Sequence, residues 1–307
     1  MKSVKSDFLC LSEWTAPQLD AILTLTAKLK AQHQAGEAQP LLAGKTLGMI
    51  FEKSSTRTRV SFEVGMFQLG GQAIFLSAAD SQIGRGEPIK DTARVLSRYV
   101  DAIAIRTYSQ TSVAELASYA TVPVINALTD SYHPCQLMAD LFTVQERKGS
   151  YSDQVYCWIG DGNNMANSWI NAAAVFGFEL RVATPVGYEP DPWVIERAVQ
   201  RGARLTFTND PLEAARGANV LNTDVWASMG QEQEQQQRIK DFNGFQINDA
   251  TLGVAASDAL VLHCLPAHRG EEISDAVIEG PQSVVFDEAE NRLHVQKAIL
   301  ARLLGAA

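Results

Sequence analysis

The chain carries the sequence Ser55-Thr56-Arg57-Thr58-Arg59 between a short apolar run, residues 47–51, and a segment with Val60, Val64 and Phe67 at helical spacing. This order predicts a strand, a hydroxyl-rich turn and the start of a helix. The first amide groups of a helix have no intrahelical partner and lie at the positive end of its dipole, so they favour a bound anion. The sequence therefore predicts a phosphate site here. A plain helix cap formed by Ser55 or Thr56 is the alternative.

Composition restricts the class of protein. The chain has 307 residues, 46% of them hydrophobic and 20% charged, which predicts two globular domains at about 150 residues each. The net charge of −9 disfavours a nucleic-acid partner, because such a surface needs a basic face. The cysteines are far apart in sequence, which predicts reduced thiols and no zinc motif. Neither a long apolar run nor a signal-peptide core is evident, so we expect a cytoplasmic protein without a membrane partner.

Short apolar runs alternate with amphipathic segments along almost the whole chain. This alternation predicts an α/β fold of two doubly wound domains, each a parallel sheet flanked by helices. A polar, turn-rich segment near residue 150 predicts a boundary, with a first domain over 1–148 and a second over 149–290. Further helices are predicted over 12–30, capped by Ser12, and over about 291–307, where the apolar residues suit docking on either domain.

Polar side chains follow three predicted strands of the first domain. The 55–59 run follows the first strand, Arg106 follows the strand at 102–105, and His133 and Gln136 come soon after the strand at 122–126. Ligands of parallel sheets collect at the carboxyl ends of strands, so we expect these side chains to converge on one crevice. His133 would then stand at a helix start, with a purely structural histidine as the alternative.

The second domain offers a different set of groups. Residues 160–164, Gly-Asp-Gly-Asn-Asn, follow a strand and begin a helix, but Met165 replaces the third glycine of a dinucleotide motif. This favours a small zwitterionic ligand over a nicotinamide cofactor. Asp224 also follows a strand, with a solvated surface acid as the alternative. The segment 263–270 lacks nearby third and fourth ligands, so we expect no metal site.

Seven ordered segments, which span nearly the whole chain, resemble ornithine carbamoyltransferase. They are FEKSSTRTRVSFE, SQIGRGEPI, HPCQLMADL, GDGNN, DVWASMGQE, HCLPAHRGEEIS and AENRLH. The resemblance implies that the carbamoyl group of carbamoyl phosphate is transferred to the δ-amine of L-ornithine, giving L-citrulline and phosphate, in arginine biosynthesis. It also implies an active site in the cleft between the domains and no cofactor.

The resemblance assigns roles to the matching residues. Carbamoyl phosphate would be bound by Ser55, Thr56, Arg57, Thr58, Gln82, Arg106, His133, Pro134, Cys135 and Gln136. L-Ornithine would be bound by Asn164, Asp224, Ser228 and Met229, and the carbamoyl side would be lined by Cys264, Leu265 and Arg292. The catalytic residues would be Arg106, His133, Asp224 and Cys264. Gln82 would reach the active site of a neighbouring subunit, which implies a homotrimer.

Other interpretations remain open at this point. One is a carbamoyltransferase with another amine acceptor, such as putrescine, or one with a catabolic role. Asn164 together with the Ser228-Met229-Gly230 loop favours an α-amino acid over a diamine. A non-catalytic phosphate-sensing module is a further alternative, which the retention of Arg57, Arg106 and the other motif residues disfavours.

Overall fold

The computed structural model describes residues 5–77, 86–227 and 234–306. The chain forms two compact units, Met1–Met138 with Asn291–Ala307 (unit 1) and Ala139–Glu290 (unit 2). The units divide inside a helix, Pro134–Lys148. The domain boundary predicted from the sequence lies at the end of this helix. Because this helix is shared by both units, the boundary at 148 stays a prediction. In the described part of the chain, none of the helices combines the length and the apolar character needed to cross a bilayer.

Unit 1 is built on a parallel sheet. Its described elements are a 3-10 turn at Leu11–Glu13, α1 (Ala16–Gln34), β1 (Thr46–Phe51), α2 (Thr56–Gln68), β2 (Gln72–Ser77), α3 (Ile89–Leu96), β3 (Ala102–Arg106), α4 (Gln110–Tyr119), β4 (Val124–Leu128) and the start of α5 (Pro134–Lys148). The described strands lie in the order β2-β1-β3-β4, and all pair in parallel. The strand order reverses between β1 and β3, which is where an open parallel sheet binds ligands.

Unit 2 repeats this plan. Its described elements are β5 (Val155–Ile159), α6 (Asn164–Phe176), β6 (Glu179–Ala183), α7 (Pro192–Gln200), β7 (Arg204–Thr208), α8 (Pro211–Ala215), β8 (Val220–Thr223), α9 (Gln235–Asp241), α10 (Asp249–Val254), β9 (Leu260–His263), α11 (Asp275–Ile278) and the start of α12 (Val285–Leu303). The described strands lie in the order β7-β6-β5-β8-β9, and all pair in parallel. Here the order reverses between β5 and β8.

The central strands are apolar on both faces because helices cover both sides. Ile50, Ile103 and Ile105 pack with residues of α4 in unit 1, and Leu221 and Val261 pack with residues of α11 in unit 2. Full burial of each such side chain contributes about 1.5–3 kcal/mol. This burial explains why near-continuous apolar runs in the sequence predict the strands correctly.

The first and last helices differ from the sequence prediction. Ser12 lies in the 3-10 turn, and α1 begins only at Ala16. Thr15 takes the N-cap position, where its backbone N–H donates to Gln18 Oε1 at 3.0 Å. This reciprocal cap, with a proline in the first turn, outweighs the isolated serine, so the predicted Ser12 cap is wrong. At the other end, α12 begins at Val285, six residues before the predicted start.

Among the described glycines of unit 2, Gly162 has the least room for a side chain. A Cβ built on it would lie 2.3 Å from the Pro190 backbone nitrogen, whereas one on Gly253 of α10 would meet nothing within 4 Å. Because backbone atoms yield little, we expect Gly162→Ala to lower the free energy of unfolding by about 3 kcal/mol. Gly253→Ala should raise it by about 0.5 kcal/mol through the helix propensity of alanine. Urea denaturation of both variants measures this, and equal effects would contradict the packing described here.

Candidate active site

Ser55 caps α2 and is also the first residue of the predicted anion site. The Ser55 hydroxyl accepts a hydrogen bond from the Thr58 N–H at 3.2 Å. Thr56 and Arg57 follow in the first turn, whose amide groups have no partner within the helix. The helix cap and the anion site are therefore compatible, because the cap hydroxyl accepts from only one of the first-turn amides.

The two arginines of the motif have different surroundings. The Arg59 Nε donates to Glu63 at 2.9 Å, and its guanidinium lies 3.8 Å from the centre of the Phe75 ring. Arg57 is exposed beside the helix start. Arg57 is thus the guanidinium of this motif that suits an anion at the N-terminus of α2.

Arg292 brings the last helix to this site. Its guanidinium donates to the Thr58 hydroxyl at 2.7 Å and to Gln136 Oε1 at 2.9 Å. All three side chains are buried. The resemblance groups Arg292 with Cys264 and Leu265, but the structure places Arg292 in unit 1 and the other two residues in unit 2.

His133 is a buried, neutral imidazole. Burial lowers the pKa of His133 well below its usual value, and the positive charges of Arg292 and Arg106 lower it further. Arg106 ends β3 and is itself buried. The site therefore presents guanidinium charges together with an uncharged imidazole. Such a set of groups suits an anion and a carbonyl oxygen without a further buried cation.

Pro134 and Cys135 begin α5. The Cys135 thiol is fully buried and donates to the Asn126 carbonyl at 3.6 Å. Burial raises the pKa of Cys135 to about 12, although Arg292 lowers it. Cys135 is therefore a protonated core thiol, and its contact with a substrate stays a prediction, as does that of Pro134.

Asp224 is the centre of a hydrogen-bonded cluster in unit 2. Its Oδ1 accepts from the Val225 N–H at 2.8 Å and from the Cys264 thiol at 3.2 Å. Its Oδ2 accepts from the Asn163 side-chain amide at 3.3 Å. Burial raises the pKa of Asp224, while His263 and Cys264 lower it. Burial and the Asp224 charge in turn raise the pKa of Cys264 well above its usual value, so this thiol is a hydrogen-bond donor at neutral pH.

Asn163 contacts Asp224, although it is not among the residues that the sequence predicts to bind substrate. Its side chain caps α6 by accepting from the Met165 N–H at 2.8 Å, and its amide reaches Asp224. The predicted ligand Asn164 is buried as the first residue of the helix. An asparagine directly before a helix is a cap signal, but nothing in the sequence reveals its link to Asp224.

The segment after β9 is held by His263. Its Nδ1 accepts from the Leu265 N–H at 2.9 Å, and its Nε2 lies 3.1 Å from Glu272 Oε1. Ligand atoms of Asp224, His263 and Cys264 lie within 4.8 Å of one another. Because both nitrogens of His263 already make hydrogen bonds, a metal ion would have to displace one of them. The donor set thus suits a hydrogen-bonded loop better than a metal centre.

Three of the predicted site residues are Gln82, Ser228 and Met229. They lie outside the residues that the structure describes. Their proposed contacts with substrate, and the role of Gln82 in a neighbouring subunit, stay predictions.

The two halves of the chain match the two domains of one enzyme family. Residues 6–146 match the carbamoyl-P binding domain of aspartate/ornithine carbamoyltransferase. Residues 152–303 match the Asp/Orn binding domain of the same family. The chain belongs to the aspartate/ornithine carbamoyltransferase family. It is therefore an enzyme of the carbamoyltransferase class.

Individual family members are similar over almost their whole length. The chain is 68% identical to ornithine carbamoyltransferase of Syntrophotalea carbinolica over 301 residues, covering 98% of this chain and 100% of the relative. The structure of the Pyrococcus furiosus ornithine carbamoyltransferase is 51% identical with a TM-score of 0.94, covering 98% of each chain. That of the anabolic Campylobacter jejuni enzyme is 43% identical with a TM-score of 0.91, covering 97% of this chain and 98% of the other. The family resemblance and the α/β fold with two parallel sheets, both predicted from the sequence, are confirmed.

The Cys264 thiol reports on the charge of Asp224. Cys264 is partly exposed, and the other three cysteines are buried. Asp224→Asn removes a charge that raises the thiol pKa, so we expect alkylation of Cys264 by iodoacetamide at pH 8 to become at least about threefold faster. Mass spectrometry of the modified peptide gives the rate. Glu179→Gln, which removes an acid that pairs with Arg181, should leave the rate unchanged. An equal rate in Asp224→Asn and the unmodified protein would refute the coupling.

Proposed function

We propose that the protein transfers the carbamoyl group of carbamoyl phosphate to the δ-amine of L-ornithine, giving L-citrulline and phosphate. The observation that carries the proposal is that the Arg292 guanidinium donates hydrogen bonds to Thr58 and Gln136. Neutral His133 and the start of α2 belong to the same group of residues. This combination suits a phosphate with an attached carbonyl group. Thr58, His133 and Gln136 lie in the part of the chain that matches the carbamoyl-P binding domain, and Arg292 lies in the part that matches the Asp/Orn binding domain.

Unit 1 would bind carbamoyl phosphate through its charge. The phosphate would lie at the N-terminus of α2, contacting Ser55, Thr56, Arg57, Thr58 and Arg106. The carbamoyl oxygen would accept hydrogen bonds from Arg106, His133 and Arg292, and Gln136 would hold the carbamoyl nitrogen. Negative charge develops on that oxygen when the carbonyl carbon is attacked, and donors fixed in advance stabilise it.

Unit 2 would bind ornithine through its acidic and amide groups. Asp224 would pair with the α-amino group, and Asn164 would bind the α-carboxylate. A δ-ammonium has an unperturbed pKa of about 10.4, so fewer than about one molecule in a thousand carries the free amine at pH 7. Desolvation in the site and nearby guanidinium charge would favour the free amine, and Cys264 would orient it.

The reaction itself then needs one bond exchange. The δ-nitrogen forms a bond to the carbamoyl carbon, and the bond from that carbon to the bridging phosphate oxygen breaks. The electron pair of the broken bond leaves with phosphate, which takes up the proton released by the amine. No cofactor or metal is required by this sequence of steps.

We also propose that the reaction serves arginine biosynthesis. The similarity to the Campylobacter jejuni enzyme described as anabolic supports this direction.

A catabolic direction and another amine acceptor are the alternatives, and the acceptor is tested directly. Incubation with carbamoyl phosphate and ornithine, acetylornithine, aspartate or putrescine, followed by assay of ureido product and phosphate, should give turnover with ornithine. Turnover only with another amine would refute the assignment.

Arg106 tests the carbamoyl phosphate half of the proposal. Arg106→Ala removes a buried charge from the phosphate and the developing oxyanion, so we expect kcat/KM to fall at least about a thousandfold. Arg57→Ala should have a similar effect. Arg94→Ala, which removes an exposed arginine that pairs with Asp91, is the matched control. Thermal unfolding measured beside the kinetics separates lost chemistry from lost fold, and full turnover in folded Arg106→Ala would overturn the proposal.

We further propose a homotrimer in which Gln82 completes a neighbouring active site. Exposed apolar side chains on α2 and β2 support a protein interface: Val60, Phe67 and Ile74. Among the described strands, β2 is the sheet edge that leads towards Gln82. An exposed apolar face along a sheet edge is typical of surfaces that other chains cover.

A charge placed in this apolar face tests the trimer. Phe67 is 81% exposed on α2, and Val186, in unit 2, is 78% exposed. Phe67→Glu should shift the mass measured by light scattering from a trimer to a monomer, because a buried carboxylate opposes association. Val186→Glu should leave the trimer intact.

In addition, mixing Gln82→Ala with Asp224→Asn should restore activity, since hybrid trimers contain intact shared sites. A monomeric unmodified protein would refute this part.

A further inference from the structure

A buried ion pair outside the predicted ligand set joins two segments of unit 2. Arg238 on α9 donates to Asp161 Oδ2 at 3.0 Å and to the Trp226 carbonyl at 2.8 Å. The two charged side chains are only 9% and 12% exposed. We propose that Arg238 and Asp161 are positioning residues that fix Asp224 relative to Asn163 and Asn164, and so set the affinity for the amino-acid substrate.

The turn that carries Asp161 is held rigidly by its own backbone contacts. The Trp158 indole N–H donates to the Asp161 carbonyl at 2.9 Å. The Gly162 N–H donates to the Tyr188 carbonyl at 2.8 Å, in the close packing that leaves no room for a side chain on Gly162. The Asp161 carboxylate therefore projects from a fixed backbone and provides a firm anchor for Arg238.

Arg238 is equally well defined on its own side. Its guanidinium lies 5.1 Å from the centre of the Tyr188 ring, and its Nε donates to Glu234 Oε2 at 3.3 Å. The Trp226 ring, whose carbonyl Arg238 binds, stacks on Phe242. The planar fork of an arginine can bind a carboxylate and a carbonyl at the same time, whereas a lysine presents a single charged nitrogen.

These contacts close a ring around Asp224. From Asp161 the chain runs through Gly162 to Asn163, whose amide donates to Asp224. From Asp224 the chain continues to Trp226, and Arg238 returns from the Trp226 carbonyl to Asp161. Every connection in this ring is either a peptide bond or a hydrogen bond. Removal of the Arg238 contacts would free the Trp226 segment and with it the Asp224 carboxylate.

The energetics favour positioning over stabilisation as the role of the pair. Burial raises the pKa of Asp161 to about 6, although Arg238 lowers it. The carboxylate is thus held in its charged form against a desolvation cost that its partner does not fully offset. Buried ion pairs of this kind are weak contributors to stability, while removal of one partner leaves an uncompensated charge.

The inference rests on the proposed function, in which unit 2 binds ornithine. Arg238→Met, Asp161→Asn and the double variant test it, with Arg181→Met as the control. Arg181 is also a unit 2 arginine that binds a carboxylate, Glu179, at 2.7 Å and a carbonyl, that of Arg216, at 2.6 Å. The ornithine KM, kcat, the carbamoyl phosphate Kd and Tm are measured for each. In Arg238→Met we expect the ornithine KM to rise at least tenfold and the carbamoyl phosphate Kd to stay within twofold. Arg238→Lys should recover part of the loss.

The outcomes separate the inference from the proposed function. No turnover of ornithine by the unmodified protein would refute the proposed function. Normal turnover by the unmodified protein, with the ornithine KM of Arg238→Met within twofold of it, would overturn the inference alone. An equal rise in Arg181→Met would also overturn it, since any arginine of unit 2 that binds a carboxylate and a carbonyl would then have the same effect. If Arg238→Met does not fold, Asp161→Asn is judged by the same limits: an ornithine KM raised at least tenfold supports the inference, and one within twofold overturns it.

Discussion

The hydrogen bonds of Arg292 to Thr58 and Gln136 are the interaction on which unit 1 depends. They join three helices, α12, α2 and α5, whose contact residues lie 234 and 156 positions apart along the chain. A guanidinium buried at this point needs hydrogen-bond acceptors, and the two polar side chains each provide one. Burial lowers the pKa of His133, and the charges of Arg292 and Arg106 lower it further. Arg292 thus contributes both to the geometry of the anion site and to the neutral state of its imidazole.

The same sheet topology yields two sites of opposite character. In unit 1 the strand order reverses between β1 and β3, and the loops there carry guanidinium groups and a neutral imidazole. In unit 2 it reverses between β5 and β8, and the loops carry Asp161 and Asp224 with a protonated thiol. A cationic site suits a phosphate, and an anionic one suits an ammonium group. The proposed division of the two substrates between the units therefore agrees with the charges of these groups and with the two matched domains.

The sequence predicts what local pattern controls and misses what distant contacts decide. The strands are found because buried parallel strands are continuous apolar runs, and Arg106 is found because it stands at the carboxyl end of one. The contact of Arg292 with Thr58 has no local signal, since the two residues are far apart in the chain. The same is true of Arg238 and Asp161, which lie 77 positions apart. For Ser12 the prediction is wrong for a local reason: the helix is capped by Thr15, which has the stronger cap signal three residues later.

The central claim is that the N-terminus of α2, with Arg106, His133, Gln136 and Arg292, forms the carbamoyl phosphate site. The most direct test is a crystal structure with phosphonoacetamide, in which a methylene group replaces the bridging oxygen of carbamoyl phosphate. We expect the phosphonate at the Thr56–Thr58 amides and Arg106, and the amide group at His133, Gln136 and Arg292. A phosphonate bound instead at the Gly160–Asn164 turn of unit 2 would contradict it.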